Sequence, residues 1–438
     1  MSTATAPKGV YLPRHPERTP LYKLFEEHFE HFTQAYEQRF EHQHGFLRGV
    51  VTRVVDQYLE CGRPEGGFAR IRCPSCCGEH LLAFSCQTRN FCPSCQAKRG
   101  ALFGERLNEE ILADVPHRHV TFTIPKVLRG LFERERKLLK ILPRCAHRAV
   151  EVMLREVVGR RDVRVGTVAS IQTFGSFGAN FHPHVHAIVT DGVFHPLGAK
   201  ALFFERVEWW DVAAVARVFR EFVFAALIAA ERLRPETAEM MRGWNHSGFN
   251  VHASEPVLPN DRERLEKIAR YDSRAPLALD AMQLLADGRV RVRTPHHPQT
   301  GATRMEFDAL EMIRRLCAQI PDARQHMTLY YGWYSHRARG ERRKAEAESG
   351  SSAADVEVRT PTARSRSWAR LMRRIFEVDP LLCPQCNVEM QVVSVIQEVT
   401  VVDRLLAHLR KIGGNDPHEG TAQRGPPGGA RASPDVDG

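Results

Sequence analysis

Three pairs of cysteines at C-x-x-C spacing, Cys73-Pro-Ser-Cys76, Cys92-Pro-Ser-Cys95 and Cys383-Pro-Gln-Cys386, restrict this chain more than any other feature. Such a turn aims two sulfurs at one point, and two turns complete a tetrahedral site for an ion. Fifteen residues separate Cys76 from Cys92, the spacing of a four-thiolate zinc ribbon. Cys73, Cys76, Cys92 and Cys95 are therefore expected to share one structural Zn2+. Cys61 and Cys86 stand nearby as spare ligands, either replacing one of the four or joining a second site, while the lone Cys383–Cys386 pair needs partners from elsewhere. Residues 1–20 are polar and proline-rich, with no apolar run of an export signal, so metal ligation in a reducing cytoplasm is expected rather than disulfide pairing.

At 438 residues the chain exceeds one typical core and predicts two to four modules. Its 62 Lys and Arg against 52 Asp and Glu leave a net charge of +10, which favours a polyanionic partner. A membrane role is not expected, because the apolar stretch Phe222 to Ala230 is too short to span a bilayer and is flanked by Arg220, Glu221, Glu231 and Arg232. Lys98 and Arg99, directly after the second cysteine pair, suit phosphate contacts, although solvated surface accounts for them equally well.

Aromatic and aliphatic residues at helical spacing between Leu21 and Glu60 predict two amphipathic helices. From Val115 strands and helices mix: His119 to Ile124 reads as a strand, Gly130 to Val157 as mostly helical, and Val163 to Phe174 and His184 to Val189 as an antiparallel hairpin. The chain is thus α+β. Within Asn180 to Gly192, His182, His184 and His186 alternate with other residues and so share one face of a strand, where imidazoles can chelate a divalent ion. Gln172 on the neighbouring strand is a candidate third ligand. Asp261 to Tyr271 predicts a helix leading to Arg274, and Gln325 to Arg337 another, on which Tyr330 and Tyr334 stand one turn apart. Arg337 and Arg339 follow at once as candidate DNA contacts. Tyrosines at this spacing are more often a packing stripe than a pair of nucleophiles.

As a set these features resemble the rolling-circle insertion-sequence transposases of the two-tyrosine HUH class, in the branch with an N-terminal zinc-binding domain. The likeness runs from about Pro20 to Leu409. It rests on Cys61-Gly, the segment Cys73 to Arg99, Ile171-Gln-Thr-Phe-Gly175, His182-Pro-His-Val-His186 with Asp191-Gly-Val-Phe194, Tyr271 to Arg274, Tyr330 to Tyr334, and Trp368 to Ile396. It implies an HUH endonuclease core, a central antiparallel sheet flanked by helices, preceded by helices and a zinc ribbon and followed by a small C-x-x-C module. It further implies that His184 and His186, completed by Gln172, hold Mg2+ or Mn2+, and that Tyr330 and Tyr334 are the nucleophiles. The implied partners are single-stranded DNA at element ends and target DNA, in the cytoplasm at the nucleoid. Two departures are a third hydroxyl at Tyr331 and an extra imidazole at His182.

On this reading residues 1–20 are a disordered start, 21–60 helical, 61–110 a zinc-ribbon DNA-binding domain and 115–345 the catalytic domain; residues 346–366 form a linker, 367–412 a C-terminal C-x-x-C module and 413–438 a disordered tail. A replication initiator or relaxase would use the same chemistry on other DNA. A zinc-ribbon DNA-binding regulator would bind DNA without a covalent adduct. A zinc hydrolase is disfavoured, since the histidine strand offers no H-E-x-x-H helix and no general base.

Overall fold

Thr19 caps the first helix by accepting the Tyr22 N–H on its hydroxyl, and Pro20 pre-sets the first turn, so helix α1 (Pro20–Tyr36) starts where the aromatic stripe does. A computed structural model describes residues 15–197, 201–296, 300–348, 381–383 and 385–411. The expected disorder of residues 1–20 does not reach Pro16–Arg18, which form a 3-10 turn. After α1 come α2 (Gly49–Leu59), the hairpin β1 (Phe68–Arg72) and β2 (Glu79–Ala83), and α3 (Pro93–Arg106). Then follow β3 (His117–Thr123), α4 (Lys126–Arg134), α5 (Ile141–Val158), β4 (Gly166–Phe174), β5 (Phe181–Thr190), β6 (Gly192–Leu197), β7 (Ala201–Arg206), α6 (Val212–Ala229), α7 (Pro235–Arg242) and β8 (Asn250–Ala253). The chain continues through α8 (Arg262–Asp272), β9 (Met282–Leu284), β10 (Val290–Arg293), β11 (Arg304–Phe307), α9 (Ala309–Cys317), β12 (Thr328–Gly332), α10 (His336–Glu348), β13 (Gln391–Ile396) and α11 (Val399–Lys411).

The central sheet has the order β12-β4-β5-β3-β8 and is antiparallel throughout. On one face Val120, Phe122, Ala169, Ile171, Val185, Ala187 and Val189 pack against Ala146, Ala149, Val150 and Leu154 of α5 and Phe219 and Val223 of α6. Burial of each of the larger side chains contributes roughly 1.5–3 kcal/mol. Period-two alternation then forces the other face to carry the histidines. There the register sets Thr123, His184 and Gln172 in one row, Thr121, His186, Ser170 and Thr328 in the next, and His119, Ile188, Val168 and Tyr330 in the third.

The segment expected to be a helix over Gln325 to Arg337 is instead strand β12, a turn, and the start of α10. Leu329, Tyr330 and Tyr331 complete the open edge of β4, and a short aromatic run has no fixed period of its own to resist this. Gly332 ends the strand at φ 54°, where a Cβ would lie 1.8 Å from the Val165 carbonyl oxygen, so no other residue fits.

Helices α1, α2 and α9 and the small sheet β9-β10-β11 share a second core. Near the far end of the chain, β13 joins β1 to give the order β13-β1-β2, and Val402 and Leu406 of α11 cover Phe68. Residues 346–348 of the expected linker are helical, whereas its remainder, residues 367–380 of the expected C-terminal module and the tail 413–438 lie outside the described residues. Among the described residues no helix is long and apolar enough to cross a membrane.

Candidate active site and cysteine clusters

The cysteines do not pair as their spacing suggests. Cys61, Cys86, Cys92 and Cys95 converge in one cluster and Cys73, Cys76, Cys383 and Cys386 in another. The expected ribbon of Cys73, Cys76, Cys92 and Cys95 is thereby corrected. The reason is the hairpin: Cys73 to Gly78 is its turn, and the five residues of β2 carry the chain roughly 17 Å away before Cys86 is reached. In the first cluster Cys61 follows α2, Cys92 caps α3 and Cys95 lies in its first turn. Sulfur separations there are 3.8 Å (Cys61–Cys92), 3.7 Å (Cys61–Cys95) and 3.6 Å (Cys86–Cys95). A tetrahedral zinc with arms of about 2.3 Å sets its sulfurs about 3.8 Å apart, so this cluster fits the ion.

The histidine face is built with comparable economy. His184 Nδ1 lies 2.7 Å from the His182 carbonyl, which can only accept, so Nδ1 carries the proton and Nε2 keeps its lone pair. The rings of His184 and His186 are 4.8 Å apart. Gln172 donates its amide N–H groups to the carbonyls of Tyr271 (3.2 Å) and Asp272 (3.0 Å), which leaves its Oε1 buried without a hydrogen-bond partner. His186 Nε2 is likewise buried and unpartnered. A divalent cation would satisfy both orphaned atoms. On its other side His186 Nδ1 meets His119 Nε2 at 3.2 Å and Thr121 Oγ1 at 3.3 Å, and His119 Nε2 in turn lies 3.1 Å from Asp272 Oδ1. His119 and Asp272 were not foreseen; only the pairing of β3 with β5 and the docking of α8 bring them here.

Burial drives the His184 and His182 imidazoles down to about 4 and about 3, with Arg129 adding to both and Arg274 to His184. Burial and the surrounding histidines hold His186 well below its ordinary value. These rings are neutral at pH 7, the form that ligates metals. Burial alone would lower His119 too, but the Asp272 carboxylate outweighs it and raises the imidazole.

Tyr271 closes the site. Asp261 caps α8, and Leu265, Ala269 and Asp272 of this helix face inward, so Tyr271 in the last turn is left 47% exposed at the rim of the histidine face. Its ring stands perpendicular to that of His186 with centroids 5.8 Å apart, and the Arg274 guanidinium lies 3.9 Å over it. Helix α3 braces α8 from behind: a Cβ at Gly104 would stand 2.8 Å from Glu266 Cγ, and Gln96, next to Cys95, donates to the Ser273 carbonyl at 2.6 Å. Tyr271 to Arg274 is among the segments that carry the family resemblance, but no second tyrosine at helical spacing marks Tyr271 as a nucleophile in the sequence.

Tyr330 and Tyr334 lie elsewhere. Tyr330 shares the sheet face with the histidines but sits two strands from β5, packed against His336 at 5.2 Å and beneath Arg339 at 5.0 Å. Tyr334 is 0% exposed; its oxygen accepts the Ala113 N–H at 3.2 Å, and its hydroxyl donates to His117 Nε2 at 2.7 Å. Burial raises both phenols above their ordinary value and pushes Tyr331, stacked on His147 on the opposite face, up to about 12. Of the expected DNA contacts, Arg99 is exposed and Lys98 half-buried on α3. Arg337 is exposed and pairs with Glu341 at 2.9 Å. Arg339 is corrected to a buried brace that donates to the Tyr334 carbonyl at 3.1 Å, because α10 turns it back against β12.

Residues 25–124 match the family model described as a transposase zinc-binding domain, and residues 166–342 the one described as Putative transposase. The transposase for insertion sequence element IS801 of Pseudomonas savastanoi pv. phaseolicola is 27% identical over 380 residues, 82% of this chain and 87% of its own. The protein y4qJ of Sinorhizobium fredii (strain NBRC 101917 / NGR234), which carries the same description as the second model, is 24% identical over 324 residues, 70% of this chain and 80% of its own. No solved structure matches. The chain belongs to the insertion-sequence transposases that carry this zinc-binding domain.

Proposed function

We propose that this transposase nicks and joins single-stranded DNA at insertion-sequence ends through a covalent 5′-phosphotyrosine, with Tyr271 as the attacking residue and His184, His186 and Gln172 holding Mg2+ or Mn2+. The observation that carries this reading is the contact between the Tyr271 and His186 rings, 5.8 Å apart at the exposed rim of the histidine face. The ion, when bound, withdraws charge from the scissile phosphate. The chain's own residues do the rest. Arg274 over the Tyr271 ring offers a cation to the DNA backbone beside the attacking oxygen. The Tyr271 oxygen bonds to phosphorus as the bond from phosphorus to the 3′ oxygen breaks, and the phenolic proton ends on the released 3′ hydroxyl. The phosphotyrosine keeps the energy of the broken linkage, so a second 3′ hydroxyl can displace Tyr271 and reseal a strand without ATP.

His119 and Asp272 hold the His186 ring from behind through its Nδ1, which would leave Nε2 free to hold the ion. The same chemistry would serve a replication initiator or relaxase, and the choice of element ends rests on the kinship with the IS801 transposase. A regulator that only binds DNA leaves the buried, unpartnered Gln172 and His186 atoms without purpose.

The test traps the adduct on single-stranded terminal DNA with Mn2+ and digests it with trypsin. The nucleotide is expected on the peptide Tyr271 to Arg274; its recovery on the peptide containing Tyr330 and Tyr334 would return the chemistry to that pair, and no adduct under any ion would leave a DNA-binding regulator.

A further inference from the structure

We infer that Cys73, Cys76, Cys383 and Cys386 form a second structural zinc site, split between two distant segments, that clasps the β13–α11 unit onto the zinc-binding module. The sulfurs lie 3.3 Å (Cys73–Cys386), 3.5 Å (Cys76–Cys383) and 3.4 Å (Cys383–Cys386) apart, although Cys73 and Cys386 are 313 positions apart in the chain. All four are free thiols. This is close to the edge length of a zinc tetrahedron and far beyond a disulfide bond.

The two turns are copies of one another. Cys77 N–H donates to the Cys73 carbonyl at 3.1 Å and Cys73 N–H to the Gly78 carbonyl at 2.9 Å; Asn387 N–H donates to the Cys383 carbonyl and Cys383 N–H to the Val388 carbonyl, both at 2.9 Å. In each turn the residue after the second cysteine is left-handed without being glycine, Cys77 at φ 59° and Asn387 at φ 57°. Such a conformation is uncommon, and finding it twice at facing positions marks a backbone shaped to aim paired sulfurs at one centre.

The surrounding protein leaves the joint incomplete without an ion. The β13 strand holds β1 through an antiparallel pairing of five residue pairs broken by a bulge, and the cores beside it are small: Ile71, Leu82, Leu381 and Met390 with two of the cysteines, and Phe68 under Val402 and Leu406. A core of this size rarely holds a module by itself, whereas a structural zinc contributes folding energy directly. Closing so long a loop adds little further entropic cost, because the cost grows only with the logarithm of length.

Zinc per chain is counted by native mass spectrometry of the full-length protein, with Co2+-thiolate absorbance as a second readout. Two ions are expected in the wild type and one in the Cys383→Ser, Cys386→Ser variant, in the Cys73→Ser, Cys76→Ser variant, and in the variant carrying all four changes. Amides of residues 68–72 should exchange faster in all three. Because serine variants can misfold, the wild-type absorbance must by itself correspond to two tetrathiolate sites. A wild type with one such site, or a Cys383→Ser, Cys386→Ser variant that keeps both ions, overturns the proposal.

Discussion

Tyr271 and the pair Tyr330 and Tyr334 are placed in opposite ways. Tyr271 ends a helix that lies over the polar end of the sheet, and its ring is half-exposed against His186. Tyr334 is sealed beneath Gly166, with its hydroxyl bound at both donor and acceptor positions, and Tyr330 is a β12 residue in an apolar cluster with Val168 and Ile188. A nucleophile needs an approach for its substrate and a group that draws off its proton, whereas a packing residue needs the reverse. Spacing in the sequence does not distinguish them; exposure and neighbours do.

The sharpest way to break this contrast is to remove each hydroxyl. Tyr271→Phe is expected to lower adduct formation about 1000-fold or more, while Tyr330→Phe and Tyr334→Phe stay within about threefold of wild type in a single-turnover gel assay. The reverse ranking would dismantle the assignment of Tyr271. Next in size, His184→Ala and His186→Ala should slow cleavage by about 100-fold or more at fixed Mn2+. His119→Ala should weaken Mn2+ binding by about 10–100-fold, measured by calorimetry, and less than His184→Ala does. A larger loss in His119→Ala than in His184→Ala would move the ion to the His119, His186 and Asp272 side.

Gln96→Ala tests whether the cysteine module positions Tyr271. Loss of the bond to the Ser273 carbonyl should slow adduct formation about five- to tenfold with the zinc count unchanged, and an unaltered rate would detach the two functions. The smallest effect on chemistry is expected from Tyr334→Phe, which should instead cost about 1–3 kcal/mol of stability by leaving the Ala113 N–H and His117 Nε2 unpaired, seen as a lower Tm or denaturation midpoint. A stable variant with slow cleavage would make Tyr334 a participant.

Much of the scaffold was legible because it depends on local patterning. The aromatic stripe of α1, the β4–β5 hairpin and the alternation that puts His182, His184 and His186 on one face all follow from periods of 3.6 or 2. The segment around Tyr330 was not legible: its residues suit a strand or a helix, and the vacant edge of β4 decided. The cysteine partners are hidden from the sequence for a related reason, since C-x-x-C spacing specifies a turn but not which other turn it meets.

Composition and order along the chain thus fixed the parts: a basic protein with paired thiols, a histidine strand, and a helix ending in Tyr271. Tertiary structure alone decided which parts meet. Pairing of β13 with β1 joined cysteines 313 residues apart, and docking of α8 on α3 and on Gln172 carried Tyr271 and Asp272 to the histidines. The physical reason is that hydrogen-bond ladders and buried faces are satisfied by any partner of suitable shape, so local sequence states a need whose fulfilment depends on the whole fold.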